Sequence, residues 1–318
     1  MTRELVREVF CRHLGDAGPD SMDDGAVLDS PAGKLVFTTD SYVVSPLEFP
    51  GGNIGSLSVC GTVNDLAVMG ARPLWLSLGI ILEAGLEQEV LVRIIQAIAE
   101  KAREAGVKIV CGDTKVVEKG KGDGIFINTA GVGVLEKPLL PDTIKPGDQI
   151  IISGTVGDHG MALLTLRKGF PLKSDLQSDC APLNHMISEL QAEVNVKWMR
   201  DPTRGGVATV LNELAEGRAW GVLLNETVIP LSDAVSGVSE LLGLDPLYSA
   251  NEGKAVFVVP ADQADAALNI LQNSPFGRDA AVIGSIAADF PGKTVLRTRL
   301  GTLRTLGILA SDPLPRIC

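Results

Sequence analysis

The chain has 318 residues, 45% apolar and 21% charged, a balance that fits a folded globular protein and excludes a disordered one. Its net charge of -11 at pH 7 disfavours nucleic acid as a partner, because displacing counterions from a phosphate backbone needs a basic stripe. Five cysteines without a CxxC pair, and three scattered histidines, argue against a disulfide framework and a structural zinc site.

In chain order, an amphipathic helix is predicted over roughly residues 3–14, followed by strands at GAVLDS and KLVFTTD. NIGSLSVCGTVNDLAVMG reads as a helix with Ile54, Leu57, Cys60, Val63 and Ala67 on one face. LWLSLGIILE is a buried strand, and EQEVLVRIIQAIAEKAREAG an amphipathic helix stopped by Gly106. Two strands, VKIVCGDTKVVE and IFINTAGVGVL, flank a charged glycine loop, KGKGDG, read as a solvated hairpin tip.

The proline-rich, aperiodic EKPLLPDTIKPGDQ marks a domain boundary near 136–147. The expected division is 1–147, 148–304 and a flexible tail, 305–318. The second domain opens with strand QIIISG and helix HGMALLTLRKG. Helix VATVLNELAEGR, strand KAVFVVP, helix ADQADAALNILQ and terminal strands near 280–300 follow. Two prolines in the last six residues keep the tail extended, with a reach of at most about 43 Å. No apolar run matches a membrane span, and Met1 precedes TRELVREVF rather than a signal peptide, so the expected location is cytoplasmic.

The chemistry concentrates in aspartates next to small residues: Asp23 and Asp24 in MDDGAVL, Asp40 in TTDSYVV, Asp65 in VNDLAVMG, Asp113 in CGDTKVV and Asp201 in RDPTRGG. Such carboxylates suit a hard cation that accompanies phosphate. Each, taken singly, also fits a turn or a helix cap. The Thr-Arg-Gly-Gly turn before VATVLNELAE presents backbone N–H groups at a helix start, an anion site flanked by Arg200 and Arg204. Its adjacent glycines, Gly205 and Gly206, suit close backbone approach. Lys115 shares a strand face with Asp113, as an orienting group or as a surface lysine. Glu252 lies in a small-residue turn, SANEGK, before a strand. No Walker or GxGxxG signature is present. The chain ends on Cys318, a thiol on its least constrained residue.

Together DDGAVL, TTDSYVVSPLEFPGGNIGSLSVCGTVNDLAVMGARP, GDTKVV, RDPTRGG, NEGK and the terminal PRIC resemble the HypE family of hydrogenase-maturation proteins over nearly the whole chain. The aspartate motifs are shared with a wider ATP-using superfamily: aminoimidazole ribonucleotide synthase, selenophosphate synthase and thiamine-phosphate kinase. The terminal cysteine distinguishes the member. The resemblance implies an α+β protein, with an aminoimidazole ribonucleotide synthase-like N-terminal sheet domain that pairs across a homodimer and a C-terminal α/β domain. The chain departs from the family pattern in having no glycine-rich segment before its first helix, and in reading DDGA for DDAA.

It further implies that HypF carbamoylates Cys318, that Mg-ATP drives dehydration of the thiocarboxamide to a thiocyanate, and that the cyano group passes to iron on a HypC–HypD complex. By matching motif, Asp23, Asp24, Asp40, Asp65, Asp113, Thr114, Asp201, Arg204, Gly205 and Gly206 are the implied ATP-binding residues. Asp23, Asp40, Asp65, Asp113 and Asp201 are the implied Mg2+ carboxylates. Lys115 and Glu252 are the implied acid–base or orienting residues, with Glu252 as proton acceptor. The competing functions are another phosphotransferase of the superfamily and a non-catalytic, nucleotide-gated carrier.

Overall fold

The computed structural model describes residues 6–19, 25–169, 175–309 and 316–318. The chain forms two compact units that are not continuous in sequence. One combines Met1–Lys137, Cys180–His185 and Arg316–Cys318; the other combines Pro138–Asp179 and Met186–Pro315. The limits 1–147, 148–304 and 305–318 differ from these units at the first boundary, which falls after Lys137, at residues 180–185, and at the C-terminal end, where the second unit runs to Pro315 and Arg316–Cys318 join the first. Residues 180–185 join the first unit because buried Asn64 donates to the Ala181 carbonyl at 3.0 Å and accepts from the Leu183 N–H at 2.8 Å. The ordered chain of the second unit runs on to a strand ending at Leu306, past the expected start of the tail.

In the first unit a four-stranded sheet is built from β1 (Leu35–Tyr42), β2 (Ala71–Glu83), β3 (Lys108–Val117) and β4 (Ile125–Leu135), in the order β1-β4-β2-β3. Only β2 and β3 run parallel. Helices α1 (Ile54–Val68) and α2 (Gln88–Ala105) form the layer behind it. A capping box fixes the start of α1: the Asn53 side chain accepts from the Gly55 and Ser56 N–H groups, and Ser56 Oγ accepts from the Asn53 N–H. The helix is buried almost all round, not on one face, because it lies between the sheet and α2. Gly55 permits that approach, since a Cβ there would meet the Ile94 carbonyl at 2.4 Å.

Tyr42, Leu76, Leu78, Ile80, Leu82, Ile109, Ile125 and Ile127 fill the inner face of the sheet. The outer face carries apolar residues as well, and leaves Leu35 57%, Phe37 68% and Ile81 43% exposed. The strand expected at GAVLDS is not formed by residues 25–30; Val27 is fully exposed and no neighbouring strand offers these residues a ladder.

The second unit carries a seven-stranded sheet. Its strands are β5 (Gln149–Ile152), β6 (Trp198–Arg200), β7 (Gly221–Asn225), β8 (Val256–Val259), β9 (Ala281–Ala287), β10 (Thr294–Arg297) and β11 (Leu303–Leu306), in the order β11-β10-β7-β9-β5-β8-β6. The neighbours pair antiparallel except β10 with β7. Around it lie α3 (Asp158–Lys168), α4 (Asn184–Glu193), α5 (Gly206–Ala215), α6 (Asp233–Leu242) and α7 (Ala264–Asn273). Ile150, Ile152, Val256 and Val258 share one core with Val207, Leu211 and Leu214 of α5. Central strands of such uninterrupted apolar character are buried on both faces.

Candidate functional site

Each unit brings part of the predicted set together. In the first, β1 presents Thr38 and Asp40 toward the α1 side, two residues apart and so on one face. Thr38 Oγ1 donates to Asp65 Oδ2 at 2.9 Å, which ties α1 to the strand that carries Asp40; both carboxylates are half-buried and form the acidic edge of this face. Asp40 in turn accepts from the Ser41 N–H at 2.7 Å. Asp23 and Asp24 lie outside the described residues.

Asp113 and Lys115 sit elsewhere. Gly79, with which Asp113 is in register, lies between the buried Leu78 and Ile80, so both side chains project from the outer face. Each is 69% exposed, and the ammonium contacts the carboxylate at 2.7 Å. That contact, helped by the Thr114 N–H, holds the Asp113 carboxyl below its usual range. Asp113 and Asp65 therefore occupy opposite faces of one chain's sheet, a relation that sequence spacing does not reveal.

The chain terminus also belongs to this unit. Val43 N–H donates to the Cys318 carbonyl at 3.1 Å, and Arg316 Nε donates to the Val43 carbonyl at 3.1 Å. Ile317 between them is 4% exposed, while the Cys318 side chain is half-buried. Arg316 also pairs with Asp123 at 2.6 Å. Asp123 comes from the KGKGDG loop, read above only as a solvated tip. Glu83, at the end of β2, organises that loop by accepting from the Gly120 N–H at 2.6 Å and the Gly124 N–H at 3.2 Å. Those backbone bonds depress the Glu83 carboxyl.

In the second unit the RDPTRGG turn and the NEGK turn meet. Asn251 donates from its backbone N–H, at 3.0 Å, and from its side chain, at 3.1 Å, to the Pro202 carbonyl. Its Oδ1 accepts from the Gly157 N–H at 2.7 Å, beside the start of α3. Asp201, Gly206 and Glu252 are thereby drawn together and buried, with Arg204 exposed at the same turn.

The paired glycines have a local cause. Gly205, left-handed at φ 76°, is the N-cap of α5, and neither Asp201 nor Thr203 caps it. A Cβ on Gly206 would meet the Leu247 and Ser249 carbonyls at 2.5 and 2.6 Å. The close approach is thus to the chain's own backbone, and the Gly206 N–H is already bonded to the Thr203 carbonyl at 2.9 Å.

Three buried groups escaped the sequence reading. Asp179 accepts from the Glu252 N–H at 3.0 Å and from Lys254 Nζ at 3.2 Å. Asp158 accepts from the Thr155 hydroxyl and, at 3.1 Å, from that of Ser232. Burial pushes its carboxyl above the usual range, and the nearby Asp179 charge pushes the same way. His159 Nδ1 lies 2.7 Å from Ser178 Oγ, both buried. Lys254 and Asp179 could be suspected only by placing segments about seventy residues apart side by side.

Among the described residues no group of three or more acidic, histidine or cysteine side chains is gathered for a metal. The acidic edge nevertheless fits Mg2+ in kind: its donors are hard oxygens, and Mg2+ uses one or two carboxylates, completing its shell with phosphates and water. Asp40 and Asp65 would hold such an ion from this edge.

Residues 22–135 match the model of the AIR synthase related protein, N-terminal domain, and residues 145–296 that of the corresponding C-terminal domain. The carbamoyl dehydratase HypE of Rhodobacter capsulatus is 47% identical, over 99% of this chain and 94% of its own length. The solved structure of hydrogenase maturation protein HypE in complex with ATP superposes with a TM-score of 0.94 at 44% identity, covering 100% of this chain and 96% of that one. HypE in a HypE–HypF complex superposes at 0.83 and 44% identity, covering 96% and 99%. With this identity over its full length, and with both AIR synthase related domains in order, the chain belongs to the HypE carbamoyl dehydratase family of hydrogenase-maturation proteins.

Proposed function

We propose that this chain dehydrates an S-carbamoyl group on its own Cys318 to a thiocyanate, using Mg-ATP, and so supplies cyanide for iron during NiFe hydrogenase maturation. The observation that carries this reading is the seating of the terminus: Ile317 is buried, Val43 bonds the last carbonyl, and the thiol is held at the end of an anchored arm. Terminal residues are poorly ordered unless tied down, so three anchored positions that end in a thiol support this reading.

Bound ATP supplies the phosphoryl group that turns the amide oxygen into a leaving group. The carbon–oxygen bond then breaks, the nitrogen gives up its protons, and the carbon–nitrogen triple bond forms with sulfur still attached; ADP and phosphate are the other products. Glu252, buried in the second unit, is the proton acceptor, and Lys115 orients the carbamoyl group. Asp23, Asp40 and Asp65 are the Mg2+ carboxylates of the first unit and Asp201 that of the second, with Asp24 binding the nucleotide. Asp113, on the opposite face of this chain's sheet, is not a ligand of the ion that Asp65 holds. Thr114, Arg204 and the Gly205–Gly206 turn bind the nucleotide. HypF is the carbamoyl donor and a HypC–HypD complex the cyanide acceptor. The exposed apolar outer face of the first unit, with Phe37 and Ile81, favours a homodimer that covers it.

The test is the mass of the C-terminal peptide after incubation with a carbamoyl donor, HypF and Mg-ATP. A dehydratase shows the carbamoyl adduct and then the same adduct less one water, with ADP released. A persistent carbamoyl mass in the presence of ATP would identify a carrier instead. Absence of any adduct on Cys318 would leave a small-molecule kinase. Cys318→Ser is expected to abolish the adduct and to leave nucleotide binding intact.

A further inference from the structure

Glu252 sits between two anchored neighbours. Asn251 on one side is tied to the Pro202 and Gly157 backbones. On the other side Lys254 runs its stem against Gly154, where a Cβ would meet Lys254 Cε at 2.8 Å. Asp179 closes the turn from outside: one carboxylate oxygen takes the Glu252 N–H and the other takes the Lys254 ammonium. The Asp179 and Lys254 side chains are 4% and 11% exposed, so this is an ion pair withdrawn from water. Such a pair is costly to assemble, and removing one partner leaves the other charge uncompensated. A neutral hydrogen-bonding pair would hold a turn at lower desolvation cost. The site instead uses a carboxylate whose two oxygens fix the backbone at Glu252 and the side chain two residues later. Two such contacts from one rigid group determine both the position and the tilt of the intervening residues.

We propose that Asp179 is a positioning residue: it sets the backbone of the Glu252–Lys254 turn and so aims the Glu252 carboxylate at the reacting group. This rests on the proton-acceptor reading of Glu252. Asp179 itself is given no contact with substrate; it acts through Glu252.

The experiment uses the full chain, loaded with the carbamoyl group by HypF before Mg-ATP is added, so that one dehydration is followed by mass. Two paired variants avoid a lone buried charge. D179A/K254M removes the acceptor for the Glu252 N–H; D179N/K254Q keeps it and removes only the charges. The first is expected to slow dehydration about 10- to 100-fold, since displacements of about 1 Å carry penalties of that size, with the ATP concentration for half-maximal rate unchanged. The second is expected to stay within about 3-fold of the unaltered chain, because the hydrogen bond survives. Amide exchange at Glu252, read without nucleotide, is expected to accelerate about 10-fold or more in D179A/K254M only.

Equal loss in both pairs would overturn the proposal, because the charges of the pair, and not the hydrogen bond to the Glu252 N–H, then set the rate. So would an unslowed D179A/K254M, or slow exchange at Glu252 in that variant. E252Q separates the two claims. A slow E252Q beside a fast D179A/K254M ends the positioning role alone. An E252Q of full rate ends the proton-acceptor reading, and with it any action of Asp179 through that side chain.

Discussion

Asp123 holds the Arg316 guanidinium at 2.6 Å, which links the β3–β4 loop to a residue two positions before the terminal Cys318. The path continues inward, since Glu83 fixes that loop through the Gly120 and Gly124 N–H groups. It continues outward as well, since Arg316 also bonds the Val43 carbonyl and Val43 bonds Cys318. The seat combines a backbone bond, a buried Ile317 and a partly exposed ion pair, so each component is separable by mutation.

Asp123→Asn is expected to loosen the seat only modestly, because an exposed ion pair contributes about 1 kcal/mol at most. Alkylation of Cys318 should therefore accelerate by about 2- to 5-fold, and the difference should shrink as salt is raised. Replacing Ile317 by Asp, which puts a charge into a buried position, should accelerate it further than Asp123→Asn does. Equal alkylation rates in all three chains would mean that the seat does not restrain the thiol.

Thr38 is the outer support of Asp65. Supporting groups of this type set ligand orientation, and their loss typically weakens a metal site by about 10-fold or more. Thr38→Val should reduce Mg-dependent nucleotide affinity by about 10-fold, and Asp65→Asn by more, in calorimetric titrations at fixed Mg2+. Affinity unchanged in both variants would remove the acidic edge from the nucleotide site.

Lys197 and Asp148 form the most buried ion pair among the described residues, at 2.7 Å and with side chains 7% and 1% exposed. Lys197 also donates to the Thr143 carbonyl, and Asp148 accepts from the Lys145 N–H. Lys197→Met leaves the Asp148 charge buried without its cation and should cost about 3–5 kcal/mol in urea unfolding. The pair variant Lys197→Met with Asp148→Asn should cost clearly less, since no lone charge remains.

Burial holds the Asp158 carboxyl above the ordinary carboxylate range, and the nearby Asp179 charge adds to this, against the opposing bonds from Thr155 and Ser232. A raised carboxyl in the folded state means that the folded chain binds the proton more tightly than the unfolded one. Its contribution is most favourable below the unfolded value and declines as pH rises through the folded one. Asp158→Asn does not titrate, so its stability relative to the parent chain should improve from about pH 4 toward neutrality, as measured by urea unfolding. A difference that stayed flat across that range would contradict the shift.

Elements with local causes were legible from the amino-acid sequence. The α2 helix announced itself by its apolar period and by Gly106, and the long strands β2 and β4 by their apolar runs. The acidic motifs, the glycine pair and the terminal cysteine were also legible, because each is a short string whose composition alone is unusual. Their relations to one another came from the folded chain. It put Asp113 on the face opposite Asp65, because pleat alternation and strand pairing choose faces that spacing along one strand does not. It showed that Gly206 is required by the Leu247 and Ser249 carbonyls. It also brought in Asp123, Asp179 and Lys254, whose partners lie far off in sequence and leave no periodic trace near them. Helix periods and caps are dictated by neighbours along the chain, whereas strand pairing and the partner of a buried charge are set by whatever the fold brings against them.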